Sequence, residues 1–221
     1  MNTFTFTIII LLTLAIHFII KSIEITIGFI LAALIVNNVF KKEKKVKTEN
    51  LYKINEFIYK LDNFLNEDEC TNVINTAKNN MVDSQLTRFI PNFRTSKTSY
   101  DVPEFVEHKL NDFLELHDHE SEKCQVHYYK VGDQFKEHYD WFDDPDTRGQ
   151  RTWSIMIYLN NVDSGGETHF PKLNLNLVPK RGTLVLWNNL NEDTTVNYEL
   201  LHSGKPVISG DKWILTKWLR L

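Results

Sequence analysis

Residues 124–142 read CQVHYYKVGDQFKEHYDWF. Apolar and aromatic residues alternate through CQVHYYKV, which predicts a short strand with one buried face. The Gly132-Asp133 pair marks a turn, and His138 and Asp140 then stand at a strand end. Alternation sends positions i and i+2 to the same face, so these two side chains can share one ion. With 8 histidines and 29 acidic residues in the chain, one His-x-Asp pair arises easily by accident and needs partners.

Partners lie downstream. His202, in LLHSGKPV, follows an apolar strand and precedes a turn. Two histidines and one carboxylate make a facial triad suited to non-haem Fe(II), with coordination positions left open for a co-substrate and dioxygen. A structural zinc site prefers closure by four protein ligands. Lys212 opens the aromatic strand DKWILTKWLRL. A lysine there is otherwise expected to face water, but facing the same cavity it would meet the distal carboxylate of a dicarboxylate co-substrate in a charge-assisted contact.

Around these residues the chain keeps one style. RTWSIMIYLN, LNLNLV and GTLVLWNN are further short apolar runs, separated by DSGGET, PKRG and SGKPVISGD. Upstream, LDNFLNEDECTNVINTAKNNM predicts a helix capped by Asn66, with Glu67, Asp68 and Glu69 suiting its dipole and Val73, Ile74 and Ala77 on one face. VPEFVEHKLNDFLEL predicts a second, with Pro103 near its start and Phe105, Val106, Leu110, Phe113 and Leu114 forming one stripe. Helices followed by many short strands predict an α+β fold dominated by a sandwich or double-sheet roll. His117, Asp118, His119 and Glu120, just past the second helix, fit no standard metal spacing and read as a solvated terminus. Cys70 and Cys124 lack CxxC spacing and read as free, buried apolar residues.

From CQVHYYKVGDQFKEHYDWF through GQRTWSIMIYLNNVDSGGETHFP and PKRGTLVLWNNL to LLHSGKPVISGDKWILTKWL, the chain closely resembles the catalytic domain of the Fe(II)/2-oxoglutarate-dependent prolyl 4-hydroxylases, over roughly residues 60–220. The resemblance implies a double-stranded β-helix, or jelly-roll, core with N-terminal supporting helices. It implies His138, Asp140 and His202 on Fe(II), Lys212 on the C5 carboxylate of 2-oxoglutarate, O2 as second co-substrate and ascorbate as reductant. Tyr129 and Thr168 match positions that help hold the co-substrate; read alone, they are a core aromatic and a turn residue. Arg151 and Trp218 match positions lining the peptide channel; read alone, they are a surface ion pair and a core residue. The chain departs from the family in ending its last strand Lys217-Trp218-Leu219-Arg220, where the family commonly has histidine last. That leaves the metal site intact and bears on peptide preference. The reaction implied is hydroxylation of peptidyl proline at C4 with release of succinate and carbon dioxide.

The first 47 residues differ in character from the rest. FTFTIIILLTLAIHFII and ITIGFILAALIVNNVF are apolar runs joined by KSIE. They predict a membrane anchor, either one long tilted helix or a short hairpin, and a soluble domain over 48–221. KKEKKVK, residues 41–47, is a basic flank that favours the cytosol, as does the absence of any N-x-S/T sequon; relatives with an N-terminal anchor often face the endoplasmic reticulum lumen, and the side stays open. A formal net charge of −4 argues against a nucleic-acid partner. Two rival readings remain: an oxygenase acting on another residue or a small molecule, and a non-catalytic, membrane-tethered binding module.

Overall fold

The computed structural model describes residues 51–84, 92–114, 121–143, 145 and 148–220. The expected anchor at 1–47 and the cluster His117 to Glu120 lie outside these residues. Among the described residues no helix is long and apolar enough to cross a membrane.

Helix α1 spans Glu67–Ala77 and begins where expected. The Asn66 side chain accepts from the Glu69 N–H at 2.9 Å, and the Glu69 carboxylate accepts from the Asn66 N–H at 2.8 Å. This reciprocal box satisfies two donors that a helix start leaves orphaned. Helix α2 spans Glu104–Leu114 and buries Val106, Leu110 and Leu114 along one stripe, with Phe105 and Phe113 partly buried beside it.

The strands, in chain order, are β1 Tyr52–Lys53, β2 Ile58–Leu61, β3 Val82–Asp83, β4 Lys97–Ser99, β5 Gln125–Tyr129, β6 Phe135–His138 and β7 Arg151–Tyr158. They continue as β8 Ser164–Gly165, β9 Thr168–Phe170, β10 Leu175–Leu177, β11 Leu184–Asn188, β12 His202–Gly204, β13 Val207–Ser209 and β14 Lys212–Arg220. An 8-stranded sheet has the order β1-β2-β11-β7-β14-β5-β4-β3, and a 4-stranded sheet the order β10-β9-β12-β6. The pairings are antiparallel throughout. This is the double-sheet roll expected, with two helices in support.

Period-2 alternation explains why the central strands read as almost continuous apolar runs. On β7, Ile155 and Ile157 join the cluster that contains the helices' buried residues, while Met156 and Tyr158 join a second cluster with Phe170, Leu200 and Val207. On β11, Leu184 and Leu186 divide from Val185 and Trp187 in the same way. Both faces of the large sheet are therefore covered, and the second cluster lies around the site described below. Gly182 is needed at the turn into β11: at φ 77° its Cβ would come 2.1 Å from the Leu65 carbonyl oxygen.

Two expectations change in detail. Asp140 lies beyond the last residue of β6, in a bend, so its approach to His138 comes from the chain turning and not from strand alternation alone. LNLNLV is a strand only at Leu175–Leu177, because Pro171 starts a 3-10 turn closed by Asn174 at φ 48°.

Candidate functional site

β6 and β12 pair so that His138 and His202 are direct partners across the ladder. The histidine Nδ1 atoms meet backbone carbonyls two residues earlier, Lys136 at 2.7 Å and Leu200 at 3.0 Å. A ring N–H donated there fixes the tautomer and leaves each Nε2 as a bare lone pair. Both lone pairs point at Asp140, with Nε2 to carboxylate oxygen distances of 3.7 Å for His138 and 3.7 Å for His202. Burial, then the neighbouring His202, drives the His138 pKa down to about 3, so the ring is neutral in ordinary conditions. Burial alone would raise the Asp140 pKa, but its charged and hydrogen-bonding neighbours, Arg151 and Ser154 among them, hold it below the ordinary carboxylate value.

Two imidazole lone pairs facing a carboxylate make a donor set that one cation between them would satisfy. The three groups offer ligand atoms all within 4.8 Å of one another. This donor set fits a divalent metal with open coordination positions. A supporting layer holds it: Ser154 donates to Asp140 at 2.5 Å, and Asn189 donates to the Ser154 oxygen at 2.9 Å. Phe135 stacks on the His138 ring at a centroid distance of 3.6 Å, and Trp187 meets the His202 ring edge-on at 5.1 Å.

Lys212 lines the same cavity as the three ligand candidates. It is 2% exposed and has no ion-pair partner among the described residues. Burial lowers its pKa to about 7, with Glu167 countering in part. Its Nζ lies over the rings of Tyr129 at 5.4 Å and Tyr158 at 5.8 Å. The opposite wall is cut away at Gly204, where a Cβ would stand 3.7 Å from Nζ. A buried ammonium without an anion is costly, and this one sits in a space that a carboxylate can fill.

The other expected residues divide. Tyr129 is the cross-strand partner of Lys212 and lines the cavity. Thr168 also lines it, buried on β9, and accepts a hydrogen bond from the Tyr158 hydroxyl at 2.8 Å. Burial pushes the Tyr158 phenol up in pKa, so it stays a neutral donor. Trp218 lines the cavity as well. Arg151 is not among the cavity-lining residues: its guanidinium pairs with Glu122 at 2.7 Å and stacks 4.0 Å over the Trp218 ring. Arg151 thus makes an ion pair, though a largely buried one and not the surface pair of the sequence reading. Cys70 and Cys124 are free and buried, as expected.

Sequence reasoning missed Ser154, Asn189, Glu122, Arg94 and His127. The last two form a polar patch in the cavity wall. Arg94 donates to His127 Nδ1 at 2.9 Å and lies 4.6 Å over Phe135, while His127 Nε2 meets the Thr216 hydroxyl at 2.8 Å. Burial, then Arg94 and Lys212, hold the His127 pKa well below its ordinary value. No motif marks these residues; the pairing of β4 with β5 and a bridge from Arg94 to Phe135 bring Arg94's segment to His127.

Comparison with known proteins agrees with this geometry. The sequence profile of the 2OG-Fe(II) oxygenase superfamily matches residues 124–220. Prolyl 4-hydroxylase 5 of Arabidopsis thaliana is 32% identical over 193 residues, covering 72% of this chain and 66% of that protein. Probable prolyl 4-hydroxylase 8 of the same plant is 31% identical, covering 75% of this chain and 68% of its own length. The chain thus spans about two thirds of these relatives. The crystal structure of the viral collagen prolyl hydroxylase from Paramecium Bursaria Chlorella virus-1, in complex with 2OG, superposes with a TM-score of 0.62 at 32% identity, covering 75% of this chain and 97% of that one.

Proposed function

This chain belongs to the prolyl 4-hydroxylase family of 2OG-Fe(II) oxygenases, and from that premise we propose that it hydroxylates peptidyl proline at C4 while tethered to a membrane by its first 47 residues. The observation that carries the reading is the buried Lys212, without an ion-pair partner among the described residues, in one cavity with His138, Asp140 and His202.

In this reading His138, Asp140 and His202 hold Fe(II), and Lys212 takes the C5 carboxylate of 2-oxoglutarate. When bound, iron, 2-oxoglutarate and O2 supply the oxidising chemistry, releasing succinate and carbon dioxide and leaving one oxygen on the substrate carbon. The protein supplies position and dryness. Tyr129 lies beside the Lys212 ammonium and Thr168 lines the same cavity; Ser154 and Asn189 keep the Asp140 carboxylate turned toward the histidines, as outer-layer groups do in metal sites. Trp218 and, behind it, Arg151 form the side from which a peptide enters. Ascorbate serves as reductant, and the anchor places the domain at a membrane surface, with the basic flank favouring the cytosolic side.

The test is to incubate the full chain with Fe(II), 2-oxoglutarate, ascorbate and a panel of proline-rich and collagen-like peptides, and to detect products by mass. The reading expects a gain of one oxygen atom on proline, matched by succinate. Succinate formed with every peptide unmodified overturns the proline assignment and favours a different substrate.

A further inference from the structure

A buried tryptophan N–H usually finds an acceptor, and that of Trp213 does, donating from Nε1 to the Asp211 carboxylate at 3.1 Å. Trp187 differs. It is 3% exposed, and its Nε1 is buried with no hydrogen-bond partner among the described residues. The Trp141 Nε1 is also buried and unbonded, but Trp141 does not line the reaction cavity, whereas Trp187 does. The indole is not free to turn toward a partner elsewhere, because two rings hold it edge-on: Phe170 at a centroid distance of 5.6 Å and His202 at 5.1 Å. Its place in the sheet is equally fixed. Trp187 on β11 is the cross-strand partner of Ser154 on β7, so the two side chains leave the same face of the sheet, and the Ser154 hydroxyl donates to Asp140 at 2.5 Å. The indole therefore stands beside two of the three candidate metal ligands, His202 by ring contact and Asp140 through Ser154.

We propose that the Trp187 indole N–H is a binding group for the chelating end of a 2-oxo acid, donating a hydrogen bond to the carboxylate that the co-substrate places on the metal. This rests on the 2-oxoglutarate reading above. An indole N–H is a donor only, so the partner it lacks is an acceptor, and at this wall an acceptor arrives through the cavity. Two histidines and one carboxylate leave coordination positions open, and a 2-oxo acid fills them with oxygen atoms, one of them on an ionised carboxylate. Hydrogen bonds to an ionised acceptor are the stronger kind. Lys212 does not serve this end, since its ammonium lies over the rings of Tyr129 and Tyr158 and answers the far carboxylate. Phe135, stacked on the His138 ring, carries no polar side-chain atom, so of the two rings packed on the histidines only Trp187 offers a donor. The cavity then reads its co-substrate at both ends, by a charge at one and by a neutral donor at the other.

The experiment is magnetic resonance on the full chain, isotope-labelled at the indole nitrogen of its 5 tryptophans. Zn(II) is loaded as a redox-silent divalent ion that takes the same nitrogen and oxygen ligands. The Trp187 signal is the one absent from Trp187→Phe. Three states are compared: Zn(II) alone, Zn(II) with 2-oxoglutarate, and Zn(II) with 2-oxobutyrate, which keeps the chelating end and lacks the far carboxylate. The Trp187 proton should move downfield with either keto acid and stay in place with Zn(II) alone. Trp187→Phe keeps a ring against Phe170 and His202 while removing the donor, and its melting temperature and Fe(II) uptake report whether it folds. Its affinity for both keto acids should fall by a common factor, on the order of tenfold, whereas Lys212→Met should weaken 2-oxoglutarate alone. A shift already complete with Zn(II) alone shows that the N–H serves bound water, and a shift with 2-oxoglutarate but not with bound 2-oxobutyrate shows that it meets the far carboxylate; either overturns the proposal. A wild-type spectrum in which no indole signal moves while calorimetry shows 2-oxoglutarate bound overturns it without recourse to any variant, and leaves the co-substrate reading standing. A metal-loaded chain that binds no 2-oxoglutarate overturns that reading and this proposal together.

Discussion

His138 and His202 are paired residues on antiparallel strands, and each turns its Nε2 to one carboxylate, Asp140, at 3.7 Å. With both Nδ1 atoms committed to backbone carbonyls, the two Nε2 lone pairs and the carboxylate are free to ligate one cation. His138→Ala should therefore bring peptide-dependent succinate release to background, and stoichiometric Fe(II) binding should be lost with it. Turnover retained by this variant contradicts the ligand assignment.

Ser154 donates to Asp140 at 2.5 Å and is itself held by Asn189. Ser154→Ala leaves all three ligand candidates in place but frees the carboxylate to rotate. Iron affinity should fall by about 10–100-fold, as measured by metal titration, with turnover recovered at saturating iron.

The candidate metal ligands stand out in the sequence by their order: His-x-Asp at a strand end, a second histidine after an apolar strand, then a lysine opening an aromatic strand. The capping signal at Asn66 was legible for a local reason, since all its partners lie within one helical turn. Ser154, Asn189, Glu122 and Arg94 were not. Each is an ordinary polar residue whose meaning arises from pairing between segments far apart in the chain, such as β14 with β7 or β4 with β5. The short strands β1 to β4 escaped notice for the same reason. Two to four residues carry no readable period, and β2 exists because β11 offers it an edge.

Lys212 predicts opposite signs for stability and binding. Lys212→Met removes a buried ammonium that has no ion-pair partner among the described residues, so the ligand-free protein should gain about 1–4 kcal/mol, seen as a raised denaturation midpoint. The same change should weaken 2-oxoglutarate by about 2–5 kcal/mol, because the co-substrate carboxylate is left buried and unpaired. A loss of ligand-free stability would show that the ammonium is already satisfied.

Lys212 also sets a pH dependence. Its pKa is lowered from 10.5 to about 7 in the ligand-free fold. Between those values the unfolded chain keeps a proton that the folded protein has released, so unfolding takes one up and ligand-free stability rises with pH through this window, by up to about 1.4 kcal/mol per unit. Binding runs the other way, since the co-substrate carboxylate needs the ammonium. The dissociation constant of 2-oxoglutarate should be flat below pH 7 and climb toward tenfold per unit above it. Calorimetric titrations across this range, in two buffers of different ionisation heat, should show proton uptake on binding above pH 7; a flat constant would contradict a buried lysine as the anchor.

The reciprocal box at Asn66 and Glu69 holds the start of α1, whose Cys70, Val73 and Ala77 pack into the core behind the large sheet. Asn66→Ala should cost about 1 kcal/mol, lowering the melting temperature while leaving the 2-oxoglutarate affinity unchanged.

The most direct measurement is an anaerobic crystal structure of the chain with Fe(II) and 2-oxoglutarate. The account predicts one metal ion bound by His138 Nε2, His202 Nε2 and the Asp140 carboxylate, with the far carboxylate of 2-oxoglutarate on Lys212 Nζ. Iron held without one of those three side chains, or a co-substrate whose carboxylate ignores Lys212, would contradict it.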